Sequence, residues 1–183
     1  MDRVVVVDAD REWLTQFREI ADYLTPFVDS AVLRIEHVGS TAVPGLAAKP
    51  IIDIDVVVAR DEQLPNALKL IESAGYRWVG DLDVAGREAF EAPVEPTLAA
   101  HHLYLVVENN RAHADHWLFR DALRESPDLI DRYAEIKRRN AVLAGDDMER
   151  YVALKAAFVA EVLTRARLAR DMEPVSYWDP DLD

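Results

Sequence analysis

Two stretches of the chain, residues 31–38 and 51–58, are dense in β-branched and aliphatic residues, and each reads as a strand. In the second, Ile51, Ile52, Ile54, Val56, Val57 and Val58 form a nearly continuous apolar run, broken only by Asp53 and Asp55. A third strand is expected at 101–107, where HHLYLVV runs from His101 to Val107, and a further strand and turn at 76–84. Between these lie helical periodicities. Trp13, Phe17, Ile20 and Leu24 make one apolar stripe over 10–28, with Asp8 or Asp10 as its cap and Pro26 marking its end. Arg60-Asp61-Glu62 opens a second helix to about Ala74, with Pro65 in its first turn, Gly75 as its stop, and Leu64, Leu68 and Ile71 toward the sheet.

After Asn109-Asn110 the pattern is helical. A helix near 111–125 carries core candidates Trp117, Phe119 and Leu123, with His113, Asp115 and His116 read as a solvated polar face, since nothing nearby completes a zinc site. Ser126-Pro127-Asp128 is a strong helix start, and Gly145 ends that helix. Its Lys137-Arg138-Arg139 run is either a solvated face or a wall attracting an anion. Asp146 or Asp147 caps the last helix, striped by Tyr151, Leu154, Phe158, Val162 and Leu163. The architecture expected is α/β (α+β): a small mixed sheet of four or five strands, flanking helices and a helical C-terminal half. Residues 1–170 are read as one domain. The tail from 171 to 183 is acidic and expected to be partly disordered, with Tyr177 and Trp178 able to dock on the body or a neighbouring subunit.

Alternation along a strand puts Asp53 and Asp55 on one face, about 6–7 Å apart. Two like charges on a half-buried strand are costly without a counter-ion, and a hard divalent cation, Mg²⁺ above all, removes that cost. Lys49 could offset part of it. Just upstream, Gly39-Ser40-Thr41 falls where the preceding strand should end. Glycine there permits a turn and a close ligand approach, and exposed amides with the Ser40 and Thr41 hydroxyls can hold phosphate oxygens. Structural carboxylates capping loops or pairing with arginines are the alternative for the two acids.

The segment HVGSTAVPGLAAKPIIDIDV resembles the signature of the GrpB-like family of the nucleotidyltransferase superfamily. Further matches are His101-His102-Leu103, Phe119 to Arg124, Tyr133 to Lys137, and Tyr151 with Lys155, so the resemblance runs over roughly 8–166. It implies that Gly39 and Ser40 hold nucleotide phosphates while Asp53 and Asp55 carry Mg²⁺. Arg87 with Phe90 resembles a family pattern of arginine followed by an aromatic; Arg87 either contacts phosphate through its planar fork or makes a surface salt bridge. Lys155 is a phosphate candidate from the family match and its point charge. The sequence departs from the superfamily at one point. The strand from His101 offers no acid before Glu108, where a third carboxylate is common. Either a histidine stands in as ligand or base, with His102 favoured, or Glu88 or Glu91 completes the site from a loop, or full catalysis is absent.

Composition narrows the partners. Lys plus Arg number 21 against 34 Asp plus Glu, a net charge of −13, which disfavours tight binding to DNA or RNA. Without cysteine there is no disulfide or thiolate chemistry. The N-terminus shows no signal-peptide pattern and no apolar run nears the ~20 residues of a membrane span, so a cytoplasmic location is expected. The function expected is Mg²⁺-dependent transfer of a nucleoside monophosphate from a nucleoside triphosphate, ATP foremost, to a small-molecule acceptor. Two alternatives stay open: a non-catalytic module binding a nucleotide or a phospho-metabolite, CoA-related among them, and an ATP-dependent ligase using the same cleft. Acceptor and oligomeric state are not encoded in any motif.

Overall fold

The computed structural model describes residues 3–94 and 97–175. The Tyr177-Trp178 pair lies outside the described residues. Among those described, five strands form one mixed sheet and there are five α-helices. The chain divides into two compact units: residues 11–38 with 51–114, and the segments up to Asp10, Gly39–Pro50 and from Asp115 onward.

The first unit holds the whole sheet. Its strands are β1 (Arg34–Val38), β2 (Ile52–Val58), β3 (Arg77–Gly80), β4 (Arg87–Glu91) and β5 (His101–Val107), in the order β1-β2-β5-β4-β3. The β2–β5 pair is parallel and all others are antiparallel. The apolar run of β2 follows from its central place: every one of its residues is buried, so the strand is not half-buried as expected. Helices α1 (Glu12–Val28) and α2 (Leu64–Ser73) pack on one face of the sheet. Ile20, Leu24 and Ile71 are fully buried there, and Phe17 stacks on His37 with ring centroids 4.8 Å apart.

Two local expectations change. Pro26 does not end α1: it sits inside the final turn and the helix continues to Val28. Proline removes only the bond from its own amide, and Asp29 N–H still reaches Thr25 O at 3.1 Å. Asp8 does not cap α1 either: Arg11 holds the cap position without a side-chain bond, and Asp8 accepts from Arg138 Nη2 at 2.5 Å. Residues 87–91 form a strand that their alternating charges had hidden.

In the second unit, α4 (Pro127–Ala144) packs against α5 (Met148–Leu168), each begun by its expected cap: Ser126 accepts from Leu129 N–H and Asp147 from Arg150 N–H. Tyr133 and Phe158 stack between the two helices at 4.9 Å, with Phe119 edge-on to Tyr133. At the other end Ala141, Ala144 and Tyr151 close a cluster with Val4. Leu154, assigned to the α5 stripe, is exposed. The connecting helix α3 (Arg111–Arg124) also departs from expectation: His113, Asp115 and His116 are buried, not solvated. Asp115 accepts there from Arg167 Nη1, and His113 Nε2 lies 3.5 Å from Glu36 Oε1.

Candidate active site

Antiparallel and parallel register set the side chains of the sheet in rows. Asp55 lies between Glu36 of β1 and Tyr104 of β5, and Asp53 between Val38 and His102. Paired residues share a face, so Glu36, Asp53, Asp55, His102 and Tyr104 all stand on the face opposite α1 and α2. Asp55 is 0% exposed and Asp53 8%. His102, with its side chain 41% exposed, brings Nδ1 to 2.8 Å from Asp53 Oδ1. An ionised carboxylate only accepts, so Nδ1 carries the hydrogen and Nε2 is left as the basic nitrogen of a neutral ring. The sequence-predicted acids and the favoured histidine are therefore neighbours.

His101 points the other way. Its Nδ1 donates to Ala99 O at 2.8 Å, which leaves Nε2 to accept from Tyr76 Oη at 2.7 Å. Burial pushes His101 below its ordinary value and pushes the Tyr76 hydroxyl up. It is a neutral packed histidine on the helix-covered face.

Neither glutamate proposed to complete the site from a loop does so. Both lie on β4. Glu88 is on the opposite face and accepts from Trp78 Nε1 at 2.7 Å, while Glu91 pairs with Arg77 on the outer strand. Arg87 is no surface ion pair: it is 1% exposed, with its guanidinium carbon 4.4 Å from the centre of the Tyr104 ring, on the acid-bearing face. The carboxylate missed in the sequence is Glu36. His113 Nε2 stands 3.5 Å from its Oε1 and Arg34 Nε donates to the same oxygen, and together they hold the carboxyl at about 2, with the His113 contact the larger cause. Among the described residues no three His, Cys, Asp or Glu side chains converge at metal-ligand distance. Two buried carboxylates on one strand face are nonetheless the hard-oxygen donor set that Mg²⁺ takes, one or two acids with the remaining positions left to water and phosphate. On that chemistry Asp53 and Asp55 fit the ion.

The other unit gathers the cations. Gly39 has φ 66° and ψ −167°, a conformation that only glycine adopts readily, and it turns the chain into a single 3₁₀ turn, Ser40–Ala42. Ser40 and Thr41 are both buried. Lys137 donates its ammonium to Ser40 Oγ and lies 4.4 Å from the Tyr133 ring centre. The basic triplet is thus split, with Lys137 only 2% exposed and Arg138 and Arg139 in solvent. Lys155, 0% exposed, sits 4.8 Å from the centre of the Tyr151 ring, and Lys49 lies 5.7 Å from it. Arg124 fastens the turn by donating twice to Ala42 O, at 2.7 and 3.0 Å. This unit brings together Ser40, Thr41, Lys49 and Lys155 as anion-binding candidates and adds Lys137. Only its place on the inner face of α4, one turn from Tyr133, could have singled it out.

Residues 3–165 match the GrpB protein family. The chain is 36% identical over 171 residues to UPF0157 protein PA4798 of Pseudomonas aeruginosa, covering 92% of this chain and 69% of that one. UPF0157 protein YqkA of Bacillus subtilis is 29% identical over 157 residues, where the match takes in 86% of this chain but 45% of the relative. A protein of Mycolicibacterium paratuberculosis named dephospho-CoA kinase is 31% identical over 189 residues, again covering 89% of this chain and 46% of the relative. The chain thus spans about half the length of some relatives it matches. Among solved structures, conserved protein GrpB from Enterococcus faecalis superposes with a TM-score of 0.78 at 32% identity, covering 92% of this chain and all of that one. Cid1, solved in complex with its short product ApU, superposes at 0.50 and 12% identity over 74% of this chain and 45% of Cid1, a likeness of fold.

Proposed function

The chain belongs to the GrpB family, and from that premise we propose that it transfers a nucleoside monophosphate from a nucleoside triphosphate, ATP foremost, to a small-molecule acceptor with the help of Mg²⁺. The observation that carries the reading is the strand face on which Asp53 and Asp55 stand with His102 docked on Asp53. Fold likeness to Cid1 supports it at the level of architecture.

On this reading Asp53 and Asp55 hold the cation, which when bound would neutralise phosphate charge and acidify the acceptor hydroxyl. His102 Nε2 accepts that hydroxyl's proton, with Asp53 fixing the ring's tautomer and orientation through Nδ1. The acceptor oxygen forms a bond to the α-phosphorus as the bond to the bridging oxygen breaks, and pyrophosphate leaves. On the acid-bearing face Arg87 supplies positive charge for phosphate oxygens, and within the other unit Ser40 and Thr41 with Lys49, Lys137 and Lys155 form an anion-binding candidate of their own. The −13 net charge favours a small acceptor over a polynucleotide.

A second reading rests on the absence, among the described residues, of a three-ligand metal cluster. It makes the chain a binding module for a nucleotide or a phosphorylated metabolite, and the relative named dephospho-CoA kinase points to CoA-type ligands. Calorimetric titration with ATP, with and without Mg²⁺, on wild type and on Asp53→Asn/Asp55→Asn tests the first reading. Mg²⁺-dependent binding that the double variant loses, followed by release of pyrophosphate with an acceptor, supports transfer. ATP or dephospho-CoA binding without turnover supports the module. Failure of ATP to bind wild type under either condition sinks nucleotidyl transfer.

A further inference from the structure

Nucleotidyl transfer as described leaves Glu36 without a task, yet its position is the least expected on the sheet. The β1–β2 register sets it directly opposite Asp55, on the shared face, with Cβ atoms of such partners about 4.5–5.5 Å apart. Like charges directly opposite each other on neighbouring strands are destabilising. The fold nevertheless keeps Glu36 in place with considerable care. Arg34 Nε donates to its Oε1, and Arg34 Nη1 is itself anchored on Glu108 Oε1 at 2.8 Å. His113 is also buried beside it, with Nε2 3.5 Å from the same Oε1. The orientation of that ring is set as well. Asn109 N–H donates to His113 Nδ1 at 3.0 Å, so in the neutral ring the hydrogen is on Nε2, the nitrogen facing Glu36. An arginine and a histidine oriented by a backbone amide thus meet on one carboxylate that faces Asp55.

We infer that Glu36 is a positioning residue for the divalent cation held by Asp53 and Asp55: it supplies, from β1, the third carboxylate that β5 lacks, and acts through the ion's water instead of as a direct ligand. The inference rests on the Mg²⁺ reading above. Mg²⁺ keeps several waters and takes few direct carboxylates, so an acid beside the pair has water to hold. That no three acids or histidines converge at direct-ligand distance among the described residues agrees with an outer position. Groups that hold a metal's ligands or waters typically change its affinity 10–100-fold when removed.

The test is calorimetric titration of MgCl₂ alone into wild type, Glu36→Gln, Glu36→Asp, Arg34→Met and Asp53→Asn/Asp55→Asn, with thermal unfolding of each without the ion. Glu36→Gln is expected to weaken Mg²⁺ binding about 10–100-fold at unchanged stoichiometry, and Glu36→Asp to recover most of it. Arg34→Met removes the same ion pair but keeps the carboxylate. It should lower the unfolding midpoint and weaken Mg²⁺ binding less than Glu36→Gln does, because the carboxylate remains. Mg²⁺ affinity unchanged in Glu36→Gln, alongside loss of binding in the double aspartate variant, overturns the inference and leaves the metal reading standing. Absence of Mg²⁺ binding by wild type overturns both.

Discussion

His102 Nδ1 lies 2.8 Å from Asp53 Oδ1, across two parallel strands whose register pairs the residues. The contact assigns the two carboxylates of β2 different duties. Asp53 orients an imidazole, while Asp55, fully buried one row further along, has Glu36 and Tyr104 opposite it. The strand that lacks the usual acid therefore offers a histidine held by an acid.

His102→Gln is expected to lower the rate of nucleotidyl transfer by about 10²–10⁴, the range of a positioned general base. Its affinity for Mg²⁺ and ATP should stay near wild type, because the glutamine leaves both aspartates in place. Single-turnover kinetics against calorimetry separates the two quantities. Equal loss of rate and of nucleotide affinity would make His102 a binding residue and not the base.

Acid should destabilise the fold in two windows. Glu36 has its carboxyl lowered from 4.5 to about 2. A depressed acid contributes stability that is complete above its unfolded value and is lost as pH falls through the folded one, so this contribution disappears between about 4.5 and 2. Discounted for the water that still screens the pair, it is on the order of 1–2 kcal/mol. His101 is lowered by burial, so the unfolded chain takes up its proton first and stability also declines as pH falls below the ordinary histidine range of about 6.5. Urea midpoints measured from pH 8 to 3 check both. Glu36→Gln should flatten the lower window only.

Gly86 has φ 86°, and a Cβ added there would lie 2.9 Å from Asn110 Nδ2. That amide donates to Gly86 O at 2.6 Å and ties the start of β4 to the turn after β5. Gly86→Ala therefore combines backbone strain with a clash, and should cost about 1–3 kcal/mol in urea unfolding. In the Asn110→Ala background the clash is gone and the cost should shrink. Additive effects would mean that strain alone operates.

How much of this was readable depended on whether a residue's surroundings are local. The strands β2 and β5 were visible because burial on both faces demands an unbroken apolar run, and Asp53 and Asp55 stood out against it. Gly39-Ser40 was visible because only a turn explains a glycine there. Glu36 was not, since its meaning lies in a register with β2 that no local pattern fixes. Lys137 was masked by Arg138 and Arg139: three consecutive cations look solvated, and only the stacking of Tyr133 on Phe158 shows which of them turns inward. His113 was similarly misread, because its partner Glu36 is far away in the chain.

The same kind of distant pairing makes the strongest stability prediction. Arg167 of α5 donates from Nη1 to Asp115 Oδ1, with side chains only 10% and 3% exposed, and its Nε donates to Glu173 O at 2.7 Å. Removing one member leaves a buried charge without its counter-ion, so Asp115→Leu should cost about 3–5 kcal/mol. Removing both behaves differently. In Asp115→Leu/Arg167→Met the desolvation of the two ions disappears together with their attraction, and well-packed apolar replacements of a buried pair are commonly neutral or stabilising by about 1–4 kcal/mol. The double variant should therefore unfold near or above the wild-type urea midpoint, although each half alone unfolds well below it. The Arg167–Glu173 bond supplies an internal check. If the double variant remains as unstable as Asp115→Leu, the lost stability lies in the arginine's hold on the backbone after α5, and the ion pair is incidental to it.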